Sequence, residues 1–386
     1  MPDNASPDFD VQLEPANLTQ DARANAMRRT RNSFRKHPTP TTAMSSAKKR
    51  TEVFNRIAPQ SPPDDLLQII RWFEDHEEAR HRFRWTLRDS IDELLDGQRT
   101  GRWCYQHLTK TEKTYLGTAI EVNLTREFEI TDGSDLDWNI DGVEVDCKFS
   151  KDLGGWEIPM EMYLCGDHGP RSGKLNHPAL LVWVNDDASE WAAGLLRITD
   201  ERLRWKTTAS ADRIRAYNRD NKRRINEEAF SEIYWLWGGI QADLPTNLLL
   251  HLDADTRDKI LTPKSSGQGR LNELFRHITM RLVNRQVVLA VGQQDDAPKR
   301  VRDSRIALRD DGFIIVGHQR PYTQIAHALD LTLPAKGSWM SVRVTPVEHS
   351  DERAKFGAHG RWWAIARSTD TGAAPVLSET TAITSG

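Results

Sequence analysis

The sequence is poor in cysteine, with three in 386 residues (Cys104, Cys147 and Cys165), widely spaced and without a C-x-x-C pair. An odd, scattered set argues against a disulfide framework or a four-cysteine zinc site, and for a reducing cytoplasm. No apolar run approaches the roughly 18 residues that span a bilayer, which excludes an integral membrane protein. The opening MPDNASPDFDVQLEPANL lacks the basic-then-apolar order of a secretory signal. No internal repeat is present. Charge of one sign is also lacking, since 53 Lys+Arg stand against 56 Asp+Glu for a net of -3. That mean hides strong local asymmetry, so a polyanionic partner stays open.

What is there divides along the chain. Residues 1–63 are rich in Pro, Ser, Thr and Asn and carry ten basic residues against six acidic. Too little apolar surface is present to offset the entropy of ordering, so a disordered basic tail is expected. Folding should begin after Pro62-Pro63, where Leu66, Leu67, Ile69, Ile70 and Phe73 recur at helical spacing. The helical pattern resumes from Trp85 to Leu95 with Gly97 as a stop, and a further helix fits Lys113–Phe128. Strands are expected at 136–140, 143–149, 179–184 and 191–196, giving an α/β domain over 64–237. Residues 238–246 read as a linker. The second unit, 247–370, shows a helix over Arg270–Val283, β segments at Val287–Val291 and Phe313–Val316, and a basic stretch, Pro298–Arg309, between them. A helix near Gln324–Leu329 and strands at Ser338–Thr345 and Trp362–Ala366 follow. That order resembles a winged helix-turn-helix in an α+β domain. The Thr/Ala/Ser-rich residues 371–386 read as a second disordered tail.

The most informative segment is LDWNIDGVEVDCKF, residues 136–149. Asp141-Gly142 between strand-formers predicts a two-residue type I′ hairpin. The turn fixes the register: Ile140 faces Val143, Asn139 faces Glu144, Trp138 faces Val145 and Asp137 faces Asp146. Alternation puts Asp137, Asp146 and Lys148 on one face with Glu144, and Val145, Cys147 and Phe149 on the other. Like charges set about 5 Å apart are destabilising, so two opposed aspartates call for a cation between them. A hard divalent ion held by oxygen is the natural choice, and magnesium commonly takes one or two carboxylates plus substrate phosphate. Lys148 is placed to orient or deprotonate water and to offset phosphate charge, the equipment of hydrolytic phosphoryl transfer. Glu121, on the preceding helix, can lean over the same edge.

Two basic regions suggest nucleic acid. Residues 264–309 hold ten basic residues, among them Arg270, Lys299, Arg300 and Arg302, against four acidic. Arg219, Lys222, Arg223 and Arg224 form a second cluster beside Asn218 and Asn221, with donors suited to base edges and phosphate. Two other motifs lead nowhere. Cys165, His168 and His177 lack the paired spacing of a zinc site. Leu94-Leu95-Asp96-Gly97 is similar to the ligase motif Lys-x-Asp-Gly, but Leu94 cannot be a nucleophile, and a helix end capped by glycine is the better reading.

Asp137 followed by Asp146-Cys147-Lys148 resembles the split PD-(D/E)xK signature of restriction-type nucleases, with Leu136 in place of the proline. The strings LLDGQRTGRWCYQHLTKTEKTYLGT, IEVNLTREF, VDCKFSKDLGGWEIP, GQGRLNELFR, RLVNRQVV and VRVTP closely resemble the NaeI restriction endonuclease family, type IIE, over about 64–370. An insert near 161–178 is unmatched. The resemblance implies a restriction-endonuclease-like core with a mixed sheet flanked by helices, followed by a topoisomerase-like DNA-binding domain. It places Glu121, Asp137, Asp146 and Lys148 at active-site positions, and Asp137, Asp146, the Cys147 carbonyl and Glu121 around Mg²⁺. It further implies a homodimer that cuts a GC-rich palindrome in double-stranded DNA after binding a second copy of its site. The rivals are a DNA-binding regulator on a silent nuclease scaffold and a repair nuclease acting on lesions or mismatches.

Overall fold

The computed structural model describes residues 61–164, 175–262 and 264–386. Nearly all of the expected basic tail lies outside these residues, as do Cys165 and His168 of the cysteine–histidine loop.

Helix α1 (Asp64–Asp75) starts directly after the two prolines, with Asp64 and Asp65 in its first turn where the helix dipole favours negative charge. It buries Leu66, Ile69 and Phe73. Helix α2 (Ala79–Leu95) follows, and then α3 (Lys110–Phe128). The start of α3 lies three residues before the expected one, because Thr109 and Glu112 form a reciprocal capping box. At the end of α2 the left-handed residue is Asp96 (φ 46°), not the expected Gly97. Gly97 is needed for another reason: a β-carbon there would lie 2.7 Å from the Ala290 side chain.

The first sheet runs in chain order through β1 (Thr131–Asp132), β2 (Trp138–Ile140), β3 (Val143–Ser150), β4 (Pro178–Asn185), β5 (Glu190–Arg197) and β6 (Tyr234–Trp235). It is mixed, since β3 and β4 are parallel and the other neighbours antiparallel. Every residue of β4 is buried, as its unbroken apolar run suggests for a strand covered on both faces. One face packs Val145, Cys147, Leu180 and Val182 under α1, α2 and α3. The other packs Ala179, Leu181 and Trp183 under the loops that carry Trp156, Leu203 and Phe230.

The second unit holds α4 (Ala254–Ile260), α5 (Gly267–His277), β7 (Leu282–Asn284), α6 (Arg285–Gly292), α7 (Ala297–Ala307), β8 (Phe313–Val316) and α8 (Tyr322–Ala328). Strands β9 (Ser338–Val347), β10 (Lys355–Ala358), β11 (Arg361–Ile365) and β12 (Thr384–Ser385) complete it. They form a curled antiparallel sheet in the order β7-β9-β11-β10-β12, with β8 also paired to β9.

Four expectations are corrected here. The helix read over Arg270–Val283 is α5, which starts earlier at its Ser266 cap and ends at His277. The β segment read at Val287–Val291 is helix α6: Asn284 accepts the Val287 N–H as its cap, and Val287, Val288 and Val291 are buried along it. Residues 371–386, read as disordered, run against the second sheet, where Ala374 is buried and Thr384 pairs with Gly357. The linker is not loose either. Gln241 exchanges backbone hydrogen bonds with Trp191, and Leu244 is buried in the first core.

The two units also share residues. Trp103 and Cys104, which precede α3, belong to the core built by Leu248, Leu271 and Val288. The Arg257 guanidinium lies 4.2 Å from the centre of the Trp103 ring. Among the described residues no helix is long and apolar enough to cross a membrane.

Candidate active site

Asp141 (φ 53°) and Gly142 (φ 88°) make the turn, and β2 and β3 pair in the expected register, Ile140 with Val143, Asn139 with Glu144 and Trp138 with Val145. The Asn139 side chain accepts the Gly142 N–H at 2.9 Å, and Gln68 of α1 donates to both oxygens offered by Asp141. Beyond Trp138 the chain leaves the ladder, and Asp137 Oδ2 accepts the Cys147 N–H at 2.8 Å. Glu144 is drawn away from the site. Its carboxylate accepts the backbone N–H groups of Ser134, Asp135 and Leu136, which shapes the loop that delivers Asp137.

Asp146 and Lys148 then stand together. The Lys148 ammonium forms an ion pair with Asp146, donates to the Cys147 carbonyl at 3.2 Å and lies 3.8 Å from Asp137 Oδ2. Three oxygens therefore converge on one cation. Burial pushes the Asp146 carboxyl up to about 6 despite the attraction of Lys148, and the Asp137 charge adds to the rise. Glu121, on α3, is pushed up to about 7, by burial first and then by Asp137 and Asp146, with Lys148 opposing. Burial works against the Lys148 ammonium, but the Asp146 carboxylate outweighs it and the lysine pKa rises. The Glu121 charge is thereby coupled to those of Asp137, Asp146 and Lys148. The Cys147 thiol is buried in the opposite core, with its pKa well above the usual value, so Cys147 meets the site through its backbone N–H and carbonyl alone.

Among the described residues, no three carboxylate, imidazole or thiol groups form a ready-made metal cage. Two carboxylates and one carbonyl are all hard oxygen donors, and their convergence on Lys148 Nζ fits a cation that completes its shell with water and phosphate.

The expected DNA contacts divide. Arg223 is fully buried and is corrected to a structural residue: it pairs with Asp200, donates to the carbonyls of Arg204 and Leu203, and stacks on Trp205 at 4.8 Å. Arg270 is likewise buried, donating to the carbonyls of Ser265, Val291 and Gly292. Arg219, Arg224, Lys299 and Arg302 are exposed, and Lys222 and Arg300 are half-buried. Arg300 pairs with Asp296 at 2.9 Å. The sequence reading passed over a two-stranded ribbon, Trp205–Thr207 with Arg213–Arg215. Its signal is a period-two W-K-T and R-I-R on either side of a small polar turn.

Asp137, Asp146 and Lys148 thus gather where the hairpin meets the central parallel pair of a helix-backed sheet. Residues 67–374 match the family model described as restriction endonuclease NaeI. The type II restriction enzyme NaeI of Lentzea aerocolonigenes is 41% identical over 313 residues, covering 79% of this chain and 91% of that protein. The chain belongs to the NaeI restriction endonuclease family, whose class is the type II site-specific deoxyribonuclease.

Proposed function

We propose that the chain is a magnesium-dependent type II restriction endonuclease that hydrolyses phosphodiester bonds at a short, GC-rich palindrome in double-stranded DNA. The observation that carries this reading is the convergence of Asp137, Asp146 and the Cys147 carbonyl on the Lys148 ammonium. Asp137, Asp146 and that carbonyl would hold the metal, with Glu121 assisting. When bound, magnesium supplies a Lewis acid for the scissile phosphate and its attacking water. Asp137 is held for this task by the Cys147 N–H. Lys148 offsets charge on the phosphate and orients the water, and Glu121, near neutral in pKa, accepts a proton from the water shell.

Each subunit of a homodimer would cut one strand, since protein symmetry mirrors a palindrome. The second unit would bind another copy of the site. Support for a winged helix-turn-helix comes from the order α5-β7-α6-α7-β8-β9, with β7 and β8 both paired to β9. Helix α7 then enters a groove with Lys299 and Arg302, both exposed on it.

The test is incubation with unmethylated bacteriophage DNA in Mg²⁺ or EDTA. Discrete Mg²⁺-dependent fragments are expected, and sequencing their ends gives site and cut. Retarded but intact DNA would overturn the reading in favour of a binding-only regulator. Asp146→Ala is expected to abolish cutting and keep site-specific binding; unchanged cutting would remove Asp146 from the site.

A further inference from the structure

No residue of the ribbon Trp205–Thr207/Arg213–Arg215 belongs to a hydrophobic core of the described residues. The ribbon pairs Trp205 with Arg215, Lys206 with Ile214 and Thr207 with Arg213, so these pairs alternate between its two faces. The Trp205 face is anchored: Arg213 lies 4.4 Å and the buried Arg223 4.8 Å from the centre of the Trp205 ring. Arg223 is in turn locked to Asp200, and Leu203 bridges to Ile225 at the ribbon's root. The other face offers Lys206 and Ile214, both exposed, with 40% of Ile214 in solvent. A single exposed apolar side chain is ordinary by itself, so it is the setting of Ile214 beside Lys206 on a ribbon edged by cations that points to an occupant.

Location and charge say what covers it. Asp146 pairs with Ala179 and Lys148 with Leu181 across the parallel strands. Ala179 and Leu181 lie in the core that also holds Leu203, Ile225 and Tyr217, so the ribbon rises from the same sheet face as the two site residues. Residues 202–224 carry nine basic side chains against two acidic ones. Among the described residues neither Lys206 nor Arg213 has a carboxylate partner. A two-stranded ribbon of this kind fits the major groove of B-form DNA.

We infer that this ribbon reads bases in the major groove of the duplex being cut, with Lys206 donating to guanine O6 or N7 and Ile214 packing on a pyrimidine C5 edge. Arg223 is its positioning residue, holding the root rigid from within the core. The inference rests on the nuclease reading above and names that site's specificity element.

The experiment compares the full chain with Lys206→Ala/Ile214→Ser on the site duplex and on duplexes altered by one base pair, at fixed salt. Both positions are exposed, and matching melting curves confirm that the variant folds. Cleavage of the site should fall about tenfold or more while cleavage of the altered duplexes holds, so discrimination collapses. An equal loss on every duplex would place Lys206 on phosphate and overturn base reading; undiminished discrimination would overturn the contact itself. A wild-type chain that cuts nothing defeats the nuclease reading alone. The ribbon is then judged by retardation of phage DNA fragments, where weaker retardation by the variant supports it and equal retardation overturns it.

Discussion

Glu121 shows how the burial of a single side chain couples its charge to stability. Its pKa of about 7 lies above the ordinary 4.5, because burial and two neighbouring aspartates disfavour its charge. A carboxyl with a raised folded pKa adds stability only in acid, and that contribution is lost as pH rises from about 4.5 through 7. Glu121→Gln is therefore expected to stabilise the protein at pH 8 by about 1 kcal/mol, a figure discounted for its half-exposure, and to change little at pH 4. Urea titrations at the two pH values check this, and a pH-independent difference would contradict it. The same titration bears on the metal. Because carboxylates bind metal only when ionised, half-saturating Mg²⁺ should rise as pH falls through 7 and 6, where Glu121 and Asp146 protonate. Cleavage rate against Mg²⁺ concentration at several pH values measures it. Arg223 is the structural counterpart. Its removal leaves Asp200 to Arg215 alone and empties a site between three aromatic rings, so Arg223→Ala should cost about 2 kcal/mol, read as a drop in melting temperature.

Among elements, the hairpin was legible because its register depends on two adjacent residues and on nothing distant. Asp141 and Gly142 adopt positive φ, the strands pair as the turn requires, and Asp137 arrives beside Asp146 and Lys148. No atom crowds a β-carbon at Gly142, so Gly142→Val tests backbone conformation alone. A loss of about 1–2 kcal/mol in stability is expected, with slower cleavage as the register loosens; an unchanged melting temperature would refute it. Other elements were hidden in the sequence. A run such as Val287–Val291 suits a strand or a buried helix equally, and Asn284, three residues upstream, decides for the helix through its cap. Charge counting cannot see burial, which is why Arg223 and Arg270 read as DNA contacts although both spend their donors on backbone carbonyls. Residues 371–386 read as tail because their partners, Arg309 and Gly357, lie far away in sequence.

At the scale of the molecule, a line of polar groups joins the two units. Arg88 of α2 donates to Asp186 at 2.5 Å and to Asp92 at 2.7 Å. Asn247, just past the linker, donates to Asp186 at 3.2 Å and to the Trp103 carbonyl at 2.8 Å. Asn247→Ala removes both of these bonds, together with the one its Oδ1 accepts from the Leu250 N–H, and should weaken the docking of the units by about 1–2 kcal/mol. Tryptophan fluorescence during urea unfolding is expected to resolve two transitions in the variant; one transition at the original midpoint would show that the line carries no load. The placement of Trp103 and Cys104 has a consequence for exchanging parts between relatives. Their positions lie early in the first unit, yet their side chains complete the second unit's interior. A chimaera joined at residue 246 inherits those two side chains from one parent and the pocket for them from the other. Recombination within this family should therefore succeed when the stretch around 97–104 travels with the C-terminal half, and give misfolded protein when it does not.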